Sequence, residues 1–92
     1  MEEIKYIIND ELGLHARPAG ALVKLAARFA SDIQIGTAKK MVNAKRIIGV
    51  MALTLKKDQE MTMTFNGEDE KEAAKQVKAF LEANSFSPLT LS

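Results

Sequence analysis

The chain has 92 residues, of which 47% are hydrophobic and 27% are charged, and it carries a formal net charge of +1 and no cysteine. These values are typical of one small globular domain over residues 1–92, and they exclude disulfide bonds and thiolate zinc sites. The balanced charge argues against a nucleic-acid partner. The apolar runs are shorter than the ~20 residues of a membrane span, and the acidic N-terminus lacks a signal-peptide pattern. We therefore expect a cytoplasmic protein without direct membrane insertion.

The first half of the chain predicts a strand, a helix and a pair of strands. Residues 3–8 are rich in Ile and Tyr, which favours a strand. Apolar residues recur at helical spacing over 19–30, and Pro18 suits a first helical turn, where a missing N–H costs nothing. Residues 32–36 and 40–44 are predicted to be short strands that flank a turn.

The second half adds a helix, a strand and a helix. The apolar segment 47–53 predicts a helix of about two turns, and the alternating segment 60–66 predicts a half-buried strand. The acidic residues 68–70 favour the first turn of a last helix that ends at Asn84, which leaves a core over about residues 2–84 and an unassigned tail, 85–92. The order βαββαβα predicts an α+β fold with a four-stranded antiparallel sheet and three helices on one face.

The single histidine, His15, is the strongest candidate for chemistry. A lone histidine is usually structural, but a helix that begins near Ala16 would leave unpaired N–H groups that can bind an anion. Arg17 adds a guanidinium whose forked donors suit a phosphate. Because an imidazole beside a phosphate site can act as a nucleophile, we predict two catalytic residues, His15 as the nucleophile and Arg17 as the phosphate-binding cation. Ala16, Arg17 and Pro18 are expected around the phosphate.

A second candidate surface is basic and apolar. Between His15 and Arg46 the chain carries seven basic residues and one acid, which indicates either a solvated face or a surface for an acidic partner. In the segment 47–53, Val50 and Leu53 can face a core while the other large apolar side chains point elsewhere. Burial and partner docking both remain open for those side chains.

The runs 13–19 and 42–53 resemble the two signature motifs of the histidine-containing phosphocarrier (HPr) family of the bacterial sugar phosphotransferase system, and the resemblance extends over residues 2–84. It implies an open-faced β-sandwich, a phosphohistidine at Nδ1 of His15, and a phosphate-steadying role for Arg17. It also implies enzyme I, charged from phosphoenolpyruvate, as the phosphoryl donor and enzyme IIA domains of sugar permeases as acceptors.

The resemblance further implies a docking patch beside the histidine, and we expect the chain to be a monomer. A positively charged rim would raise encounter rates with acidic partners more than affinity, which suits a carrier that must release each partner quickly. The expected patch residues are Gly20, Lys24, Lys45, Arg46, Ile47, Ile48 and Met51.

Two residues depart from what the family pattern or the helix favours. Position 46 is an arginine, whereas many family members carry a serine that a dedicated kinase phosphorylates. Arginine cannot accept that phosphate, so we hypothesise that the chain escapes serine-kinase control. Gly20 lies inside the predicted helix, where glycine costs roughly 1 kcal/mol relative to alanine, and either drift or closer partner approach could account for it.

Two other functions compete with the general sugar-system carrier. One is a specialised or nitrogen-related phosphocarrier paralogue, which Arg46 mildly favours. The other is a binding-only regulator, although relatives of that kind lack the histidine. The chain has no nucleotide-binding loop and no cluster of metal ligands, so we predict neither an autonomous enzyme nor a cofactor or metal.

Overall fold

A computed structural model of the chain describes residues 1–84 and 86–88. These residues form five strands and three helices in the order β1-α1-β2-β3-α2-β4-α3-β5. The strands are β1 (Glu2–Ile8), β2 (Asp32–Thr37), β3 (Lys40–Asn43), β4 (Glu60–Asn66) and β5 (Phe86–Pro88), and the helices are α1 (Ala16–Ala26), α2 (Ile47–Ala52) and α3 (Glu70–Ala83).

The strands form an antiparallel sheet in the order β3-β2-β4-β1-β5. Met63 of the central strand β4 lies opposite Ile4 of β1 on one side and Ile35 of β2 on the other. All three side chains are buried, while Lys5 and Gln34, at alternating positions, are exposed. The two-residue period therefore gives the sheet one apolar face and one solvated face, as the alternation in 60–66 predicted.

The helices cover the apolar face, so the molecule is an open-faced sandwich of the predicted α+β class. Helix α1 buries Ala19, Leu22 and Ala26. Helix α3 buries Ala73, Ala74, Val77 and Leu81. Helix α2 is short and buries only Val50 among its own residues. The core thus lies between the helices and one side of the sheet, and α1 is held by both α2 and α3.

The prediction of four strands was wrong, because the described residues include β5, which pairs antiparallel with β1. Phe86 lies opposite Ile8 and is buried, while Pro88 lies opposite Tyr6 and is exposed. A proline is tolerated at the edge of a sheet, where its missing N–H leaves no ladder bond unmade. Three residues are too few to show a strand period in the sequence. The rest of the predicted tail, positions 85 and 89–92, lies outside the described residues.

Two predicted helix boundaries also shift. Helix α1 ends at Ala26 rather than at residue 30, and the N–H groups of Arg28 and Phe29 donate to carbonyls three residues back, which closes the helix with a tighter turn. Helix α3 begins at Glu70, so the acidic residues 68 and 69 precede it. Asp69 instead accepts hydrogen bonds from the connection between α1 and β2, a contact that sequence spacing alone does not show.

Candidate functional site

His15 is the N-cap of α1, with extended backbone angles of φ −99° and ψ −178°. Its carbonyl oxygen accepts the N–H of Ala19 at 3.0 Å, which is the first hydrogen bond of the helix. Its side chain is 32% exposed, so the imidazole is accessible from solvent and is not a core residue. The prediction that the helix begins within a residue or two of His15 is therefore confirmed.

The loop before His15 is fixed to the core by its backbone. The N–H of Leu14 donates to the carbonyl of Leu55 at 2.9 Å, and the Leu14 side chain is buried. Gly13 has φ +68°, and a Cβ built on it would lie 2.3 Å from the Leu55 carbonyl oxygen. Only glycine fits that close approach in a left-handed conformation. His15 is thus presented from a short, closely packed segment.

The first turn of α1 offers a small set of anion donors. The N–H groups of Ala16 and Arg17 have no partner within the helix, because the carbonyls that would accept them precede its start. Pro18 has no N–H, and the N–H of Ala19 is used by His15. Ala16 and Arg17 can therefore donate to an anion, and the positive end of the helix dipole favours the negative charge. Pro18 lines the same region without donating.

An open depression of about 300 Å³ lies at this helix start. His15, Arg17, Pro18 and Ala21 line it from α1, and Asp10 lines it from the loop before. Ala83 and Asn84, at the end of α3, complete the wall. The fold therefore brings together the predicted pair His15 and Arg17 and adds a wall from the opposite end of the chain.

Asp10 is a site neighbour that lies outside the motif around His15. Its Oδ2 lies 3.5 Å from Nε2 of His15, and its Oδ1 accepts the N–H of Leu12 at 2.8 Å. Its backbone carbonyl accepts the N–H of Gly13 at 2.9 Å. An aspartate that precedes a turn by this spacing commonly bonds the backbone two residues on, so the run from Asp10 to Gly13 is the signal that could have found it.

The predicted docking residues lie on two adjacent helices and the loop before the second. On α2, the side chains of Ile47 and Ile48 are 39% and 83% exposed, while Val50 is buried as predicted. Met51 is only partly accessible, because it packs against the core. Helix α2 lies against α1, which carries Gly20 and Lys24. The apolar surface expected beside the histidine helix is thus formed mainly by Ile47 and Ile48, and Met51 contributes less to it.

The basic residues around this patch differ in solvent exposure and in hydrogen bonding. Lys24 and Arg46 are exposed, whereas Lys45 is partly buried and its Nζ donates to the carbonyl of Phe29 at 2.7 Å. Leu12, in the loop before His15, is a further exposed apolar side chain outside the predicted patch. Of these three cations, Lys24 and Arg46 therefore remain available to a partner at the patch, whereas Lys45 also holds the turn that follows α1.

The described residues contain no group of three or more His, Asp or Glu side chains placed to hold a metal ion. Over the same part of the chain, none of the helices has the length and apolar character needed to cross a membrane.

Known proteins match the chain over most of its length. A family model described as the PTS HPr component phosphorylation site matches residues 2–83. Phosphocarrier protein HPr of Lysinibacillus sphaericus is 45% identical over 73 residues, which cover 79% of this chain and 83% of that protein. The structure of a histidine-containing phosphocarrier protein from a mycoplasma superposes with a TM-score of 0.89 at 36% identity, over 94% of this chain and 98% of that one.

Crh, a catabolite-repression protein of Bacillus subtilis, also matches, with a TM-score of 0.70 at 39% identity over 83% of this chain and 87% of that one. Its structure is described as a dimer with a swapping domain. The fold is thus shared by proteins described as phosphocarriers and by a relative named for catabolite repression.

Proposed function

The chain belongs to the HPr family of phosphocarrier proteins, and we propose that it accepts a phosphoryl group on His15 and passes it to another protein. The observation that carries the proposal is the position of His15 as the accessible N-cap of α1, in one depression with Arg17. An imidazole nucleophile, unpaired helix N–H groups and a guanidinium are the parts that phosphoryl transfer requires, since that reaction depends mainly on positioning and charge stabilisation.

In the proposed step, the lone pair of His15 Nδ1 forms a bond to phosphorus. The bond between phosphorus and the donor's leaving atom breaks, and its electron pair stays with the donor. The N–H groups of Ala16 and Arg17 and the Arg17 guanidinium would stabilise the charge on the phosphoryl oxygens. Transfer to the acceptor repeats the step in reverse, with Nδ1 as the leaving atom.

The proposed donor is phosphorylated enzyme I, and the proposed acceptors are enzyme IIA domains, in the cytoplasm. The exposed pair Ile47 and Ile48 supports one shared docking patch, because each partner would bury apolar surface that the free chain leaves in water. Lys24 and Arg46 would steer acidic partners to the patch. We propose that the chain acts as a monomer.

We also propose that this protein escapes serine-kinase control because position 46 is an arginine. Arg46 is the N-cap of α2, and in the described residues its side chain makes no capping hydrogen bond. It therefore neither caps the helix nor offers a hydroxyl to phosphorylate.

A specialised or nitrogen-related paralogue remains the alternative, and it differs only in which enzyme I and which acceptors are used. A binding-only role is the other alternative. The accessible ring of His15 beside Arg17 favours a carrier, because a pure binding module has no need of an exposed nucleophile next to anion donors.

The test is incubation of the purified chain with enzyme I and radiolabelled phosphoenolpyruvate. We expect an acid-labile label that is absent from His15→Ala. Enzyme I proteins of the sugar and nitrogen systems, assayed in parallel, separate the two carrier alternatives. Absence of label from the wild-type chain with either donor would contradict the carrier function.

A further inference from the structure

Asp10 is held by two hydrogen bonds before it meets the histidine. Its Oδ1 accepts the N–H of Leu12 at 2.8 Å, and its carbonyl accepts the N–H of Gly13 at 2.9 Å. These contacts fix both the backbone and one carboxylate oxygen of Asp10. The second oxygen, Oδ2, is left facing Nε2 of His15 at 3.5 Å.

The backbone of the histidine is fixed from the other side. His15 is fixed as the N-cap of α1, and the residues just before it are anchored to Leu55. Each of the two side chains is 32% exposed, so neither is sealed from water. The separation exceeds the usual N–H···O range of about 2.7–3.2 Å by a few tenths of an ångström, a difference that a side-chain rotation would close.

We propose that Asp10 is a positioning residue whose carboxylate accepts the Nε2–H of His15, so that the ring presents an unprotonated Nδ1 to the phosphoryl donor. This inference rests on the proposed function. A neutral imidazole carries one hydrogen, and a hydrogen-bond acceptor at one nitrogen fixes the hydrogen there. The other nitrogen then keeps the lone pair that attacks phosphorus.

The contact acts throughout the transfer step. When Nδ1 forms its bond to phosphorus and the donor's bond breaks, the Nε2 hydrogen stays on the ring, so no proton has to move. The ring gains positive charge during the step, and the Asp10 carboxylate stabilises that charge. Because this stabilisation grows toward the transition state, it lowers the barrier rather than merely improving partner binding.

Glu11 provides a matched control in the same loop. It is next to Asp10 in the chain, but its Oε1 pairs with Nζ of Lys57 at 2.8 Å and its side chain is 83% exposed. Replacing Glu11 by glutamine removes the same charge from the same loop without touching the histidine.

The decisive variant is Asp10→Asn. Its amide oxygen can still accept the Leu12 N–H, while its NH₂ group would face Nε2 and donate to it, which reverses the preferred tautomer. Asp10→Ser is the second variant, since a serine hydroxyl can keep the turn but offers no carboxylate. Thermal unfolding of each variant identifies any that do not fold.

Two readouts are compared in wild type, Asp10→Asn, Asp10→Ser and Glu11→Gln. Nitrogen-15 NMR of the unphosphorylated proteins, at a pH where the ring is neutral, reports the tautomer of His15. We expect the Nε2–H form in wild type and Glu11→Gln, and a shift toward Nδ1–H in Asp10→Asn. Single-turnover transfer from phosphorylated enzyme I should slow about fivefold in both Asp10 variants, in line with a partly exposed ion pair, and by less than about twofold in Glu11→Gln.

If Asp10→Asn has the same His15 tautomer and the same transfer rate as wild type, and the wild-type chain is fully labelled, the positioning role of Asp10 is overturned and the carrier function stands. A wild-type chain that accepts no phosphoryl group would overturn the carrier function and, with it, the positioning role. The NMR readout needs no phosphoryl donor, so it separates the contact from the transfer.

Discussion

The carboxylate of Asp69 accepts a hydrogen bond from the backbone N–H of Ser31 at 2.9 Å and a second from the Ser31 hydroxyl, which ties the start of α3 to the start of β2. The same carboxylate accepts the N–H of Ala30 at 2.8 Å. The Ser31 hydroxyl bond and the Ala30 amide bond are the main causes that lower the pKa of Asp69. The contact closes the loop that follows the histidine helix.

Replacing Asp69 by asparagine should lower the free energy of unfolding at neutral pH, because the ionised carboxylate is the better acceptor for all three donors. Folding lowers the pKa of Asp69, so the ionised carboxylate stabilises the folded state. This stabilisation is complete above the pKa of an aspartate in the unfolded chain, about 4, and is lost as the pH falls through the lower pKa of the folded state. Urea unfolding at pH 7 and near pH 2 measures the free energy of unfolding of wild type and of the variant. The difference between the two proteins should shrink in acid, and a difference that stays constant would contradict the stabilising role of the Asp69 carboxylate.

Arg17→Ala should slow transfer to His15 by about tenfold without lowering the melting temperature, because the side chain is exposed and its expected role is to stabilise phosphoryl charge. Arg17→Lys should recover only part of the rate, since an ammonium cannot donate through a planar fork. Rapid-quench labelling measures both. Arg28→Ala, an exposed arginine just beyond α1, is the control for lost positive charge, and an equal slowing in that variant would assign the effect to general steering.

Gly13→Ala should destabilise the protein by at least about 2 kcal/mol, because the new Cβ would meet the Leu55 carbonyl and the residue would keep a left-handed backbone. Transfer should fall as well, since Gly13 sets the segment that presents His15. Denaturant unfolding measures the loss, and a wild-type midpoint would show that the loop can rearrange.

Gly20→Ala should have the opposite effect on stability. A Cβ on Gly20 meets nothing within 4 Å, and the residue lies inside α1. The substitution should therefore raise the free energy of unfolding by roughly 1 kcal/mol. If transfer slows while stability rises, the glycine serves partner approach, and an unchanged rate identifies it as neutral.

Ile48→Ser should leave the free energy of unfolding within about 0.5 kcal/mol of wild type, since its side chain is 83% exposed. Its KM for phosphorylated enzyme I should rise by about tenfold, because an apolar contact at the centre of the patch is lost. Val50→Ala is the matched control on the same helix: it should cost about 2 kcal/mol of stability with a smaller effect on KM, since Val50 is buried. Equal KM values for Ile48→Ser and wild type would show that Ile48 is not part of the docking surface.

Arg46→Ser should stabilise the protein by about 1 kcal/mol, because a serine hydroxyl can cap α2 and the cation leaves the positive end of the helix. It should also become a substrate for a serine kinase of this family in the presence of ATP. The wild-type chain should take no label from the kinase. Label on Ser31 or another hydroxyl of the wild-type chain would contradict the proposed escape from kinase control.

The local pattern of the sequence was enough to predict seven of the elements that the described residues form. The alternation of Met61, Met63 and Phe65 predicted both a strand and its buried face, since neighbouring side chains of a strand point to opposite sides. Pro18 and the apolar spacing after it placed the start of α1 next to His15. Those residues alone therefore predicted that His15 and Arg17 lie together at the N-terminus of a helix.

Contacts between distant segments were decided only by the tertiary structure. Strand β5 pairs with β1 where Phe86 is buried, and the hydrogen bond from Ser31 to Asp69 joins residues 38 positions apart. The contact between Asp10 and His15 depends on the turn between them, in which Gly13 packs closely against the backbone of Leu55. Periodicity and capping act over a few residues and can be seen in the sequence, whereas these contacts form only when packing brings separate segments together.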